Sequence, residues 1–337
     1  MPYNIIDMNS NYSKLIKINS IKWNKKSILI IGSGNIAEQY CIALSNMKIN
    51  DVTILSQNPN NASSLAKKFN FHSMGGGYEN NLSNLKFFDL VIISLPIHLL
   101  LPAAKYALES GQTNILVEKP GSLYRNELLE LDSFITNQNI RIAYNRLVYP
   151  NFHLLKKLID DDGGILSCNF SFTEWIHTIN FKNNNSDTYD RWGISNSLHV
   201  ISLVSELIGF PKKLYPIQSG KLDWHHSGSI FVGSGVSEQN IPFSYHSNWE
   251  SAGRWGIEIF TENNVYRLTP LEDLFVCPKG SVVWKKIPFE IAFPSVKLGL
   301  SEEIALMLDH DLEKNIPLVT LKKAIKLNKF AEHIFNY

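Results

Sequence analysis

The rhythm of hydrophobic and polar positions changes once, near residue 150. From 27 to 147, short unbroken apolar runs alternate with longer stretches of helical period. Ser27–Ile31 reads SILII, a β-branched run of the kind buried on both faces of a parallel sheet. A glycine turn follows at once, then a helix predicted over 35–47. The pairing repeats as strand 52–55 with helix 62–69, strand 89–93 with helix 99–110, and strand 114–117 with helix 127–137. A last run at 140–144 closes the series. Alternating βα units with short connections predict an α/β, doubly wound parallel sheet with right-handed crossovers.

Beyond Pro150 the pattern is different. A helix over 151–160 ends at Asp-Gly-Gly, and strands are predicted at 165–175, 229–232, 243–249, 256–261, 265–268 and 282–287. One helix, 195–207, interrupts them and stops at Gly209, and two more, 301–314 and 321–335, finish the chain. Strands in succession with hairpin turns such as Glu262-Asn263-Asn264 predict an α+β domain on an open, mostly antiparallel sheet. The Asn183–Asn185 run reads as a surface loop. The expected organisation is an N-terminal extension (1–26), a nucleotide-binding domain (27–147) and an α+β domain for substrate and oligomerisation (148–337).

Composition narrows the function classes. The 337 residues are 44% hydrophobic and 19% charged, enough to bury cores for about two domains. Thirty-two Lys and Arg against 31 Asp and Glu leave a formal charge of +1, which argues against a nucleic-acid partner bound by phosphate neutralisation. Cys41, Cys168 and Cys277 are far apart and form no CxxC pair. They therefore suggest neither a metal cluster nor a disulfide framework, and fit a reducing compartment. The first 26 residues are polar and carry Asp7, and the most apolar window, 90–104, is broken by Pro96, His98 and Pro102. A cytoplasmic protein with no membrane partner is expected.

The turn after the first strand reads Gly32-Ser33-Gly34-Asn35-Ile36-Ala37, a GxGxxA run between a strand and a helix. The first glycine permits the tight turn and the second lets a pyrophosphate approach the backbone. Ala37 keeps helix and strand close, while free N–H groups and the helix dipole hold phosphates. This is the Rossmann arrangement for NAD or NADP. Versions specific for NAD carry an acid about twenty residues on. Here the second strand ends in Ser56-Gln57-Asn58, with no Asp or Glu between 52 and 78, so NADP is favoured slightly over NAD. Ser94-Leu95-Pro96-Ile97-His98 and Glu118-Lys119-Pro120 follow the third and fourth strands, at the carboxyl ends where such sheets bind ligands.

Ser-x-Pro and then Glu-Lys-Pro behind an N-terminal GxGxxA resembles the Gfo/Idh/MocA family, the glucose-fructose oxidoreductase and inositol dehydrogenase type. The resemblance continues through Tyr144-Asn145-Arg146, Pro150, Asp162-Gly163-Gly164, the helix carrying His199, residues 207–211 (LIGFP) and the last helix. It implies an NAD(P)-dependent dehydrogenase or reductase of carbohydrate metabolism. Hydride would pass between nicotinamide and a CH–OH carbon of a sugar or nucleotide sugar. It also implies that Lys119, matching the family lysine, lies beside the nicotinamide and polarises the substrate oxygen. Glu118 would orient Lys119 or contact the cofactor, and the Lys119–Pro120 bond would be cis.

The resemblance further implies that His199 helps carry the proton. Where the family often reads Asp-x-x-x-His, this chain has Ser195 and His199, so the family carboxylate is missing. Arg146, Tyr149, Arg191, Trp192, Ser195 and Asn196 are the expected substrate contacts, with Trp249, Arg254 and Trp255 as further aromatic and basic candidates. The alternatives are a non-catalytic NAD(P)- and sugar-binding sensor, suggested by Ser195, and a reductase of a non-sugar carbonyl or imine. Homo-oligomerisation through the second sheet is expected. His225-His226 lacks a metal-ligand spacing partner, 160–162 reads as a solvated helix end, and His310 as part of a polar helix face.

Overall fold

The computed structural model describes residues 10–182 and 185–337; residues 1–9 of the N-terminal extension and 183–184 of the Asn-rich loop lie outside the described set. The first part of the chain runs α1 (Asn11–Ile16), β1 (Ser27–Ile31), α2 (Asn35–Asn46), β2 (Asp51–Leu55), α3 (Pro59–Phe69), β3 (His72–Met74) and α4 (Gly77–Asn81). It continues with β4 (Leu90–Ile93), α5 (Ile97–Glu109), β5 (Asn114–Glu118), α6 (Arg125–Phe134) and β6 (Asn139–Ala143). All six strands pair in parallel, in the order β3-β2-β1-β4-β5-β6. The order reverses between β1 and β4, which opens the crevice used by doubly wound sheets. β1 and β4 are almost wholly apolar because helices cover both of their faces.

The second part runs α7 (Pro150–Asp161), β7 (Ser167–Phe172), α8 (Ser186–Asp190), α9 (Leu198–Ile208), β8 (Pro211–Ser219), β9 (Ile230–Ser237) and β10 (Pro242–Asn248). It continues through β11 (Trp255–Phe260), β12 (Asn264–Leu268), β13 (Phe275–Pro278) and β14 (Lys285–Lys286) to α10 (Leu300–Leu308), α11 (His310–Asn315) and α12 (Leu321–Phe335). The eight strands form one sheet, β14-β13-β12-β11-β7-β10-β9-β8. Only the β7–β10 pair is parallel.

Both expected sheets are present, with local differences that have physical causes. β8 was not anticipated, since Pro211 and Pro216 interrupt its reading; it is an edge strand, where a residue without an N–H is tolerated. The strand expected over 282–287 shrinks to two residues, because Val282 and Val283 are 90% and 58% exposed. The helix expected over 301–314 breaks at Asp309, whose backbone is extended (φ −127°, ψ 102°) and whose carboxylate accepts the Leu312 N–H at 3.0 Å. His310 thus opens α11 instead of lying on the face of one long helix. Ahead of α9, Gly193–Ser197 winds as a π-turn.

Two compact units result, and they do not follow a single cut after residue 147. The first comprises the described residues up to Val148 together with Ile291–Ile325; the second comprises Tyr149–Glu290 and Lys326–Tyr337. Segment Ile291–Ile325 joins the first because Leu300, Ile304, Ala305 and Leu306 share one core with Ile28, Ile30, Tyr40, Leu44 and Leu116.

Candidate active site

In the first unit the glycine turn is built by close approach. Gly32 has φ +128°, and a Cβ there would lie 2.2 Å from the Ser94 carbonyl oxygen, so only glycine lets β1 run this near to β4. Gly34 is the N-cap of α2, and no side chain caps it; a Cβ at Gly34 would meet nothing within 4 Å. The helix therefore presents bare N–H groups to open space. The Ser94 hydroxyl, at the end of β4, is buried without a hydrogen-bond partner among the described residues. Open backbone donors, a partnerless hydroxyl and a glycine cradle fit the diphosphate of a dinucleotide. Asn35 and Ile36 open the helix, Leu95 and Pro96 lead into α5, and Pro96 is the cap residue of α5. His98 points elsewhere: it is exposed and lines a groove of about 470 Å³ with Lys105, Glu127 and Phe134.

The end of β2 is tied into this turn. Ser33 Oγ and Ser56 Oγ lie 2.8 Å apart, and the Asn58 side chain caps α3 by accepting the Asn60 N–H at 2.8 Å. Gln57 is exposed and reaches toward Gly77, where a Cβ would be 2.1 Å from Gln57 Oε1 and 2.9 Å from Glu79 Oε2. An acid therefore does come to this corner, from the start of α4 and not from the strand end. Reading the strand end alone could not have found it.

β5 delivers Glu118 and Lys119 at its carboxyl end, followed by a cis Lys119–Pro120 bond. The fully buried Tyr40 of α2 donates its hydroxyl to Glu118 Oε1 at 2.8 Å. Burial pushes the Glu118 carboxyl above the usual range, and the Tyr40 hydroxyl, Lys119 and Lys297 pull it back. Glu303, on α10, is fully buried and pushed well above its ordinary range, first by burial and then by the charges of Glu118 and Glu302. Arg146 follows β6 in a short 3₁₀ turn, Asn145–Val148.

In the second unit, His199 is the second residue of α9 and its ring lies 5.4 Å from that of Trp255. Beside them sits Glu174, 2% exposed, which no reading of the chain had singled out. It accepts from Ser197 Oγ and Asn196 Nδ2, both at 2.6 Å, and from Trp255 Nε1 at 3.2 Å; Arg254 lies 3.7 Å away. Burial raises the Glu174 carboxyl, against the pull of Ser197, Arg254, Asn196 and Trp255. The Arg254 guanidinium is held over Trp175 at 4.6 Å and Trp255 at 4.1 Å. Sequence spacing hides Glu174, since it follows the end of β7 and reaches the start of α9 only through the fold.

The other expected contacts spread over this unit. Ser195 is buried and donates to the Trp192 carbonyl at 3.2 Å, and Trp192 stacks on Tyr189. Arg191 pairs with Glu332 at 3.2 Å and lies over the Tyr337 ring. Tyr149, 3% exposed, precedes α7. His225 is fully buried: its Nδ1–H donates to the Gly228 carbonyl at 2.7 Å, and Tyr337 Oη, which accepts the Gly193 N–H at 2.9 Å, donates to its Nε2 at 2.6 Å.

Comparison with known proteins bears on the fold. Residues 26–145 match the Gfo/Idh/MocA model, described as an oxidoreductase family with an NAD-binding Rossmann fold. UDP-N-acetylglucosamine 3-dehydrogenase from Acidithiobacillus ferrooxidans superposes with a TM-score of 0.70 at 13% identity, over 92% of this chain and 97% of that one. A levoglucosan dehydrogenase solved with NADH and levoglucosan superposes with a TM-score of 0.72 at 17% identity, over 92% and 96% of the two chains. Residues 26–145 thus carry the family's Rossmann fold, and the chain as a whole shares the fold of these two dehydrogenases.

A curated relative, glutamyl-tRNA reductase of Listeria monocytogenes, is 28% identical over 146 residues, which is 43% of this chain and 30% of that enzyme. This chain thus combines a first unit that matches an NAD-binding Rossmann model with a second unit carrying Ser195 and a buried Glu174. Among the described residues, no helix is long and apolar enough to cross a membrane.

Proposed function

We propose that the protein is an NAD(P)-dependent oxidoreductase acting on a hydroxyl or carbonyl carbon of a sugar or nucleotide-sugar-like molecule. The observation that carries this reading is the pairing, within one unit, of an uncapped helix start under Gly34 with Lys119 at the end of β5. Gly32, Ser33, Gly34, Asn35, Ile36 and Ser94 would hold the diphosphate, and Ser56 and Gln57 the adenosine ribose. The nicotinamide supplies or accepts the hydride. Lys119 Nζ would hydrogen-bond the substrate oxygen and stabilise negative charge on it as the C–H bond breaks. The hydroxyl proton would leave to His199 as the carbonyl forms, and return from it in reduction.

Arg146, with its planar guanidinium, suits a carboxylate or phosphate on the substrate. Tyr149, Trp192, Ser195 and Asn196 are proposed contacts to its hydroxyls and rings. Arg191, already paired with Glu332, is a further proposed contact. The sugar class is favoured by the two dehydrogenases that share the fold, one named for UDP-N-acetylglucosamine and one for levoglucosan. NADP is favoured slightly over NAD by the lack of an acid at the end of β2, although Glu79 lies near enough to Gln57 to oppose a 2′-phosphate.

Binding of NADH and NADPH is read by fluorescence, and a panel of sugars and nucleotide sugars is then followed at 340 nm. Lys119→Ala is expected to lose on the order of 10²–10³-fold in kcat while cofactor binding persists. Absence of cofactor binding, or unchanged turnover in Lys119→Ala, overturns the proposal. Binding of cofactor and sugar with no turnover across the panel replaces it with a sensor.

A further inference from the structure

The proposed role of Lys119 does not by itself account for two acids associated with it, half-buried Glu118 and fully buried Glu303. Glu303 is 0% exposed, and neither of its carboxyl oxygens has a hydrogen-bond partner among the described residues. A buried carboxylate without donors is far costlier than a buried carboxylic acid, so such a group keeps its proton. Glu118 differs: it is half-buried, the Tyr40 hydroxyl donates to it at 2.8 Å, and the Lys119 backbone N–H adds a second hydrogen bond. Tyr40 is itself fully buried and interacts with both acids, so it remains a neutral donor. α10 places Glu303 near α2 and the end of β5 because Ile304, Ala305, Tyr40 and Leu116 belong to one core.

Among the described residues, four charged or titratable groups are known to act on this pair. They are Tyr40 from α2, Glu302 from α10, Lys297 from the segment before α10, and Lys119, which follows Glu118 in the chain. Glu302 is occupied at the start of its helix, where Oε2 accepts the Gly299 N–H at 3.0 Å. Two acids close together in a poorly solvated place do not both ionise. Lys297 favours charge on both acids, but only Glu118 also has the Tyr40 hydroxyl and Lys119 beside it.

We propose that half-buried Glu118 and fully buried Glu303 form a carboxyl pair carrying one negative charge between them, held on Glu118 by Tyr40, and that this charge positions Lys119 and opposes loss of its proton. Glu303 serves as the neutral member, which keeps the pair at a single charge. Glu118 and Tyr40 are positioning residues that act through Lys119. The inference rests on the reading of Lys119 as the group that polarises substrate, but its test does not need turnover.

Lysines of the cofactor-free protein are dimethylated with 13C-formaldehyde and borohydride, and the Lys119 methyl signal is assigned by its loss in Lys119→Arg. Its titration midpoint is then followed by NMR. Glu118→Gln is expected to lower the midpoint by roughly one pH unit, and Tyr40→Phe by about half as much. Glu303→Gln, which replaces a neutral acid by a neutral amide of the same size, is expected to leave it within about 0.3 unit. A fall in Glu303→Gln equal to that in Glu118→Gln overturns the assignment of the proton. An unchanged midpoint in both Glu118→Gln and Tyr40→Phe overturns the positioning role. Tyr40→Phe alone decides the matter if Glu118→Gln does not fold. Failure to find a substrate would defeat the proposed reaction and leave this titration unaffected.

Discussion

Two glutamates, one in each unit, show how differently one fold can treat a buried acid. Glu174 has three hydrogen-bond donors around it, Ser197, Asn196 and Trp255, and the Arg254 cation 3.7 Å away. Glu303 has no hydrogen-bond donor among the described residues, and its charged neighbours include two further acids. Burial raises both carboxyls. What separates them is whether the fold supplies N–H and O–H groups to replace lost water. Glu174 is a structural keystone whose donors would be stranded without it, whereas Glu303 is an acid whose proton the fold retains.

The strongest way to break this comparison is to delete each acid. Glu174→Leu should cost roughly 3–5 kcal/mol in urea unfolding, because it removes the acceptor shared by Ser197, Asn196 and Trp255 and the acid beside Arg254. Glu303→Leu at pH 8 should change stability by less than about 1 kcal/mol, since no donor loses a partner. Equal losses would end the distinction.

Stability against pH sharpens it further. Burial pushes His225 down to about 4, so its contribution is present above the ordinary histidine value and is lost as pH falls through about 4. Burial pushes Glu302 up to about 7, so its contribution is present below the ordinary carboxylate value and is lost as pH rises through about 7. The two slopes oppose each other between about pH 4.5 and 6.5. Each amounts to about 3 kcal/mol at most. Replacing His225 by Asn should remove the loss on the acid side, and Glu302→Gln should remove the loss toward neutral pH; denaturant midpoints measured from pH 4 to 8 would show both. A smaller effect concerns α11. Asp309→Ala should cost about 1 kcal/mol, the usual worth of an N-cap, measured by thermal unfolding.

Much of this was readable before the fold was known, for reasons that also mark the limit. β1, β4 and β5 announce themselves as unbroken apolar runs because both of their faces are covered. The GxGxxA turn is legible because each small residue answers a local steric demand, seen at Gly32 against Ser94. β8 was not legible, since an exposed edge strand with two prolines has neither the alternation nor the apolarity of a central one. Glu174, Tyr40, Glu303 and Glu79 were hidden for another reason: their meaning lies in neighbours far away in the chain. Asp309 could have been read as a helix start, but the apolar period on both sides masked the break.

The return of Ile291–Ile325 to the first unit also sets an order of events during synthesis. Tyr40 and Glu118 are made early, but the helix that seals them leaves the ribosome only after the whole intervening β-rich region. Until then a nascent first unit carries an open seam lined by Tyr40, Leu44 and Leu116, and a chain cut at residue 290 would keep that seam for good.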